Sequence, residues 1–551
     1  MNIVKRGVAL LAIVLLCIGL MSGCGNSETG GGKTETKQGG QETENKTSAE
    51  TVSAAAGDLE PEASQDEGQD DEDTAHIIVA YPTNGTVPAD LALVQDAINE
   101  ITIPEINTEV ELFTVEIGNY AQQMNLKQSS GEQLDCMLTF PVGAASYSSV
   151  SAQGVFIGLD GLLDEYGQDL RATVGDDILK ATTYQGQIRG IPSYYDVVEN
   201  IMWYMRKDLL EKYDLTEQAR SVKNFADMEA VLAVIRENEP NIAPISNAYL
   251  GGAILTTSDQ YFLNGFENPV QFDRLGDNTL QFAVADVAKD AKTIINAYAS
   301  DEYMETVKIV RDWYNKGLIY KDAAITQEAG TALVKSGTVF SFFTVGNPTE
   351  LASKEAAAGY ELEQVEISPG ILSATTFKNF VWGITQNSKE PEAAMKFLNM
   401  MYTDERIVNL FNYGVEGVHY VDNGDGTISF PEGVTQDNSG YYTFTYWFYG
   451  NAFIRKVWEG TDPQLLSQRE QVLKDAPKSQ LMDFSFDSTD YSMETTALTN
   501  VINQYRPGIE SGSVDPETEI PKFLEALEGA GGDKFLAGYQ EQLDAYYAGK
   551  K

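Results

Sequence analysis

The stretch "HIIVAYPTNGTVPADLALVQDAINEI", His76–Ile101, decides the reading of the fold. Its first six residues are an apolar run that reads as a strand. A loop with Pro82, Gly85 and Pro88 follows, and from about Asp90 to Ile101 the apolar residues recur at helical period. Outward from there, "EVELFTV" (Glu109–Val115) alternates like a second strand. Tyr120–Ser129 reads as a helix and Asp135–Phe140 as a third strand. The order β-α-β-α-β predicts an α/β fold with a largely parallel sheet covered on both faces. Ligands of such sheets gather outside the carboxyl ends of the strands. Here those ends are "YPTNG" (Tyr81–Gly85) and "TFPVG" (Thr139–Gly143), loops with one aromatic each and no evident acid–base pair.

Further along, "GQIRGIPSYYDVVENIMWYMRKDLLEKYDL" (Gly186–Leu215) reads as a strand ending at Pro192 and a polar aromatic connection. A strand with Trp203 and Tyr204 and a helix from about Lys207 come next. "SGTVFSFFTVGNP" (Ser336–Pro348) and "TFKNFVWGITQNS" (Thr376–Ser388) again look like strands leading into loops. Pro391 suits the first position of a helix that carries Ala394, Phe397, Leu398 and Met401 on one face. Thr403 is expected to cap a second short helix with Ile407, Val408, Leu410 and Phe411. Gly414 stands where a glycine stop belongs. There is no internal repeat of 20 to 50 residues.

With 551 residues, 42% of them hydrophobic, the chain is long enough for two or three packed domains. Its 82 acidic and 38 basic residues give a net charge of −44, which leaves little to neutralise a phosphate backbone and argues against nucleic acid. Lys5 and Arg6 precede "GVALLAIVLLCIGL" (Gly7–Leu20), an apolar run of 14 residues. A membrane-spanning helix needs roughly 20, so residues 1–23 read as a signal peptide. Met21-Ser22-Gly23-Cys24 resembles the lipobox of bacterial lipoproteins, although Met21 stands where leucine is usual and Leu20 lies one place further back. That resemblance implies diacylglycerol and palmitate on Cys24. Residues 24–75, almost without large apolar side chains and ending in the run Asp70–Asp73, read as a disordered acidic tether. With Cys17 removed and Cys24 acylated, Cys136 is left without a disulfide partner and reads as a buried small hydrophobe in "LDCMLTF".

Motifs for chemistry are few. The chain has no Gly-x-Ser-x-Gly, HExxH, P-loop, GxGxxG or CxxC pattern. His76 and His419 are its only histidines, and no nucleophile signature accompanies His419. A glycosidase needs two carboxylates, for which Asp196, Glu199 and Glu416 are candidates without a local pattern to pair them. "VDNGDGTISF" (Val421–Phe430) lacks oxygen ligands at Gly424 and Gly426 and fits a hairpin turn better than a calcium loop. No metal, cofactor or catalytic residue is expected. What recurs at loops and strand ends is aromatic: Tyr81, Phe140, Tyr194, Tyr195, Trp203, Trp382 and the run Tyr446-Trp447-Phe448-Tyr449. Rings stack on the apolar faces of sugars and also fill cores. Trp203, inside an apolar strand, reads as core, whereas Tyr194, Tyr195 and Trp382 fit either use.

Taken in order, "MSGC", "GQIRGIP" with "WYMRKDLLEKYDL", and "WGITQNSKEPEAAMKFLNMMYTDE" resemble the bacterial extracellular solute-binding proteins of family 1, the carbohydrate-associated group that includes maltose-binding protein. From "LFNYGVEGVHYV" (Leu410–Val421) onward the chain resembles a subgroup of Gram-positive lipoproteins with an uncharacterised C-terminal domain. The resemblance implies a two-lobed, periplasmic-binding-protein-like fold with interleaved lobes. Mapped by order, lobe one takes 76–192 and 382–420, and lobe two 200–378 and 421–551. Crossings fall near Ser193–Asn200, near Asn379–Trp382 and after Tyr420. The cleft between the lobes is then expected to be lined by Tyr81, Phe140, Tyr194, Tyr195, Asp196, Glu199, Trp382 and Glu416. The function implied is capture of a solute, an oligosaccharide ahead of a peptide, by a monomer anchored on the outer face of the membrane. Closure would present the solute to an ABC permease. A glycoside-processing enzyme and a ligand-sensing surface lipoprotein are the other two readings.

Overall fold

The computed structural model describes residues 74–550 apart from 142, 199, 247, 250–251, 254–271, 276–279, 288, 327 and 485. The expected signal peptide, Cys24 and the tether up to residue 73 lie outside the described residues, and so does Glu199. In chain order come β1 (Ala75–Thr83), α1 (Leu91–Ile106), β2 (Thr108–Glu116), α2 (Ile117–Ser130), β3 (Cys136–Leu138) and, after several short helices, β4 (Ile191–Pro192). Next are β5 (Asn200–Arg206), α3 (Phe225–Asn238), β6 (Ala243–Ser246), α4 (Asp301–Asn315), β7 (Val339–Gly346) and β8 (Leu362–Ser368). Then β9 (Val381–Ile384), α5 (Pro391–Thr403) and α6 (Glu405–Tyr413) follow. The last third holds β10 (Val421–Asp422), β11 (Thr427–Ser429), β12 (Val457–Trp458), α7 (Leu465–Asp475), α8 (Ser492–Glu510), α9 (Pro516–Gly529) and α10 (Gly532–Gly549).

The first sheet has the order β2-β1-β3-β9-β4. β1 pairs in parallel with β2 and β3, and β9 runs antiparallel to both β3 and β4. Side chains of a strand alternate between faces, and β1 uses both. Ile77, Val79 and Tyr81 join the core with Val94 and Ile98 of α1 and Phe397 of α5, whereas Ala80 joins Tyr120 and Met124 of α2. Two covered faces explain why "HIIVAY" is continuously apolar rather than alternating. Cys136 is fully buried and free, as its apolar run implied.

The second sheet, β8-β5-β7-β6, is mixed. Its central strand β5 is buried along its whole length, and Trp203 packs beside Phe343 in the core. A further core joins residues 272–307 to the C-terminal helices through Phe282, Tyr298, Phe523 and Phe535. The two sheets with their helices are the two lobes of an α/β fold.

The chain passes between the sheets at Ser193–Val198, again over 369–380, and last over 459–480, which carries α7. The expected transfer of everything after Tyr420 to lobe two does not match the packing. Tyr441, Phe448 and Tyr449 belong to the first core, beside Tyr81 and Phe411. The cause is a return of the chain onto α6: the Tyr441 hydroxyl donates to the Phe411 carbonyl, and Asp90 N–H donates to the Gly440 carbonyl. α6 is capped by Asp404, which accepts from Arg406 N–H, and not by Thr403, which ends α5. Gly414 does stop α6. Its φ is +81°, and a Cβ there would meet His419 Nδ1 at 2.6 Å, so only glycine fits. "VDNGDGTISF" forms the expected hairpin, with Val421 opposite Ser429.

Asp135 pins lobe one. Its carboxylate accepts from Ile78 N–H at 2.8 Å, the Gln133 amide at 2.9 Å, the Ser388 hydroxyl at 2.6 Å and Lys389 N–H at 3.0 Å. It thereby ties β1 to the turn that enters α5. Asp135→Ala removes, at a fully buried position, the acceptor that gathers those donors, so the unfolding free energy read from urea titration is expected to fall by roughly 3 kcal/mol.

Candidate functional site

The carboxyl ends of β1, β3 and β4 open on the same side as the start of β9, and the crossings leave the sheet there. At that edge the half-buried rings of Phe140, Tyr195, Phe380 and Trp447 meet one another. Phe380 lies 5.9 Å from Phe140, 6.1 Å from Tyr195 and 6.5 Å from Trp447, centroid to centroid. Phe444 and Tyr446 extend the group at 6.2 and 5.0 Å from Trp447. Phe448 closes the wall from behind, 5.1 Å from Phe380, and is buried. The rings come from four places: the β3 loop, the first crossing, the second crossing and the return segment after Gly440.

Backbone pairing brings these segments together. Ser193 N–H donates to the Phe380 carbonyl at 2.9 Å, Tyr194 N–H to Gly450 at 2.8 Å, and Ala452 N–H back to Tyr194 at 2.8 Å. Gly450 has φ +59°, and a Cβ there would stand 2.2 Å from the Met401 carbonyl, so the return segment can lie this close only through glycine.

Beside the wall is a charged knot. Arg469 of α7 donates to Asp196 at 2.7 Å and, through Nε, to the Thr349 hydroxyl at 3.0 Å. It thus joins the first crossing, the third crossing and lobe two. Both partners are largely covered, at 16% and 7% side-chain exposure, so the pair is far less screened than a surface ion pair. Burial, with the Asp196 carboxylate adding to it, pushes the Tyr446 phenol well above its ordinary value. The Arg455 guanidinium lies 4.0 Å over the Tyr446 ring. On the second crossing Lys378 is buried, and that burial pulls its ammonium down to about 8 against the attraction of Asp273.

A cavity of about 450 Å³ adjoins the knot, lined by Asn200, Pro348, Glu366, Gln468, Gln471 and Asp475 among others. That volume is in the range of small-molecule sites. Asn200 donates to Glu366 at 2.6 Å and accepts from Gly370 N–H at 2.9 Å, which fixes one wall of it.

Of the expected cleft residues, Phe140 and Tyr195 stand in the wall and Asp196 in the knot. Tyr81 and Trp382 do not line a cleft. Tyr81 is packed among Trp382, Phe411 and Tyr449, and Trp382 is fully buried with its indole N–H donating to the Phe448 carbonyl at 2.7 Å. A strand covered on both faces has no side left for a ligand, which is why these two rings are core. Tyr194 points away from Tyr195 into Phe453, and its hydroxyl reaches Glu470 at 3.3 Å. Glu416 is exposed on the turn that Gly417 N–H closes onto the Tyr420 carbonyl, just ahead of β10. His419 next to it is buried, with Nδ1 accepting from Val415 N–H at 2.8 Å and Nε2 3.3 Å from Asp90. Sequence reasoning missed Phe380, Phe444, Arg455 and Arg469.

A model of the bacterial extracellular solute-binding proteins matches residues 91–406, more than half of the chain. The chain belongs to that family. A domain of unknown function, DUF3502, matches residues 480–548, the α8–α10 region of this solute-binding protein. A carbohydrate ABC transporter substrate-binding protein of Streptococcus pneumoniae is 26% identical over 460 residues, spanning 82% of this chain and 87% of the relative. The solved N-glycan transport solute binding protein of S. pneumoniae has a TM-score of 0.68 at 23% identity, covering 86% of this chain and all of that one. An HMO binding, ABC-transporter-associated solute binding protein of Bifidobacterium longum infantis gives 0.58 at 17% identity, over 86% and 99% of the two chains.

The two kinds of tryptophan separate by experiment. Trp382→Ala empties a filled core site and removes the shorter of the two hydrogen bonds to the Phe448 carbonyl, so stability is expected to drop by roughly 3–5 kcal/mol. Trp447→Ala at the half-buried wall should cost no more than about 1 kcal/mol by the same urea titration.

Proposed function

We propose that this solute-binding protein captures an oligosaccharide outside the cell and hands it to an ABC permease. The observation that carries the reading is the wall of half-buried rings at the crossings. A solute seated on Phe140, Tyr195, Phe380 and Trp447 touches lobe one and the segments that join it to lobe two. Sugars suit such a wall, because their C–H faces stack on rings while their hydroxyls bond to acids, amides and arginine. The cavity beside the knot offers those groups in Asn200, Glu366, Gln468, Gln471 and Asp475. The functions of the relatives, carbohydrate and N-glycan transport, point the same way.

Capture proceeds by closure. A ligand shifts an open–closed equilibrium only by its differential affinity for the two forms, and contacts to both lobes supply that difference. The same reading makes the protein a monomer without turnover, held by acyl chains on Cys24 and spaced from the bilayer by its acidic tether.

A thermal-shift screen across a broad glycan panel is the direct test. A glycan present at one hundred times its Kd should stabilise the protein by about 2.7 kcal/mol, and Trp447→Ala should then weaken binding by about tenfold or more. If neither glycans nor peptides move the melting transition, the importer reading falls. For the anchor, Cys24→Ala is expected to release the protein from the membrane fraction into the medium; retention in the membrane would remove the acylation reading.

A further inference from the structure

Two Asn-Gly pairs stand on exposed turns: Asn84-Gly85 in the loop after β1, and Asn423-Gly424 in the turn of the β10–β11 hairpin. A third pair, Asn264-Gly265, lies outside the described residues. The dipeptide carries a chemistry of its own. The backbone nitrogen after an asparagine can attack the side-chain amide carbon, and glycine presents that nitrogen with no Cβ to hinder it. Asparagine is for this reason a thermolabile residue. The attack needs an amide free to turn onto the nitrogen, and a nitrogen whose N–H is not engaged elsewhere.

The two turns differ in both respects. In the hairpin, the Asn423 amide donates to the Thr427 hydroxyl at 2.9 Å, and its oxygen accepts from the Ser429 hydroxyl at 2.9 Å. Gly424 N–H donates to the Asp422 carboxylate at 2.9 Å. Amide and nucleophile are therefore both held. In the loop after β1, no hydrogen bond among the described residues engages the Asn84 side chain or the Gly85 N–H. The Thr83 hydroxyl donates to the Gly85 carbonyl at 3.1 Å, which fixes the loop from its carbonyl side and leaves that N–H free. Gly85 has φ +94°, and no atom lies within 4 Å of where its Cβ would stand, so nothing crowds the approach.

We infer that Asn84 is a site of spontaneous deamidation and that Asn423 is spared. The Gly85 nitrogen bonds to Cγ of Asn84 and a succinimide closes. The N–H proton, passed through water, leaves with the amide nitrogen as ammonia. A second water opens the ring at either carbonyl and yields aspartate or isoaspartate. One water is consumed, one ammonia is released, and nothing is oxidised or reduced. The loop begins at the carboxyl end of β1, and across a small groove it faces Phe444, Thr445 and Tyr449. Each conversion adds a negative charge there, and the isoaspartate branch also lengthens the backbone by one carbon. Molecules of different age thus come to differ at the edge of the ring wall, whatever solute the wall receives.

Peptide mapping by mass spectrometry, on the full chain incubated at neutral pH and physiological temperature, tests the assignment. Exchange of NH for O in the Asn84 peptide should run at least about tenfold faster than in the Asn423 peptide, a margin that a few intact hydrogen bonds can impose. In guanidinium chloride, where neither turn is folded, the two rates should converge. Asn84→Gln should abolish the change in its own peptide and leave the Asn423 rate as it was. An Asn84 that stays intact in the folded chain while converting in the denatured one overturns the proposal. So does a folded chain in which Asn423 converts as fast as Asn84 or faster.

Discussion

The structure depends on the pairing of its crossings. Three separated pieces of chain connect the two sheets, and each would be a costly exposed linker if it ran alone. They do not run alone. Ser193 is bonded to Phe380, Tyr194 to Gly450, and Leu372 to both Pro477 and Ser479, all through the backbone at 2.8–2.9 Å. Arg469 adds a charged bond to Asp196 and a second contact to Thr349. Every backbone donor that leaves one sheet must find a partner before it reaches the other. Pairing the crossings with one another meets that demand and leaves a junction with few ways to bend.

The same constraint sorts the aromatic residues. A ring on a strand between two helical layers is enclosed, as Trp382, Trp203 and Tyr204 are. The Trp382 indole N–H bonds internally, to the Phe448 carbonyl, and on the helix that covers the sheet the Tyr120 hydroxyl bonds to the Leu138 carbonyl. A ring just past a strand end or on a crossing has one face covered by its neighbours and one face open. Phe140, Tyr195, Phe380 and Trp447 meet that description. Enclosure between layers therefore decides which strand rings are core, whereas on the crossings burial is set ring by ring, with Tyr194 buried and Tyr195 half-buried.

That rule bears on how much was legible in the sequence. The strands and helices of lobe one were readable because continuous apolar runs and a 3.6-residue period alternate without interruption from His76 to Leu138. The stops at Gly414 and the hairpin at Val421–Ser429 were readable from turn chemistry. The side of a ring was not. Tyr194 and Tyr195 are adjacent and chemically alike, and only the pairing of Tyr194 with Gly450, 256 residues later, turns one toward α7 and the other toward Phe380. Arg469 gave no signal either, since on a helix it resembles any solvent-facing arginine and its partner Asp196 lies 273 positions away. The placement of 421–458 with lobe one failed to show for the same reason: Gly440 reaches Asp90, and Tyr441 reaches Phe411, through contacts that no local pattern encodes.

Rigidity at the crossings and an aromatic wall beside them are mechanically related. A hinge transmits ligand binding into lobe movement only if the binding surface is attached to the parts that rotate. Tyr195 and Phe380 are on crossings, Trp447 is four residues from Tyr194's backbone partner Asn451 in the parallel bridge, and Arg469 bonds to lobe two through Thr349. A contact made on these side chains acts on the rotating segments directly, with no intervening flexible loop. To carry such a junction from mostly open to mostly closed, a solute must favour the closed form by about 5.5 kcal/mol. A single stacked ring contributes roughly 0.5–1.5 kcal/mol beyond its buried area, so one ring cannot provide that difference. On the proposed reading, a wall of several rings joined to two lobes can.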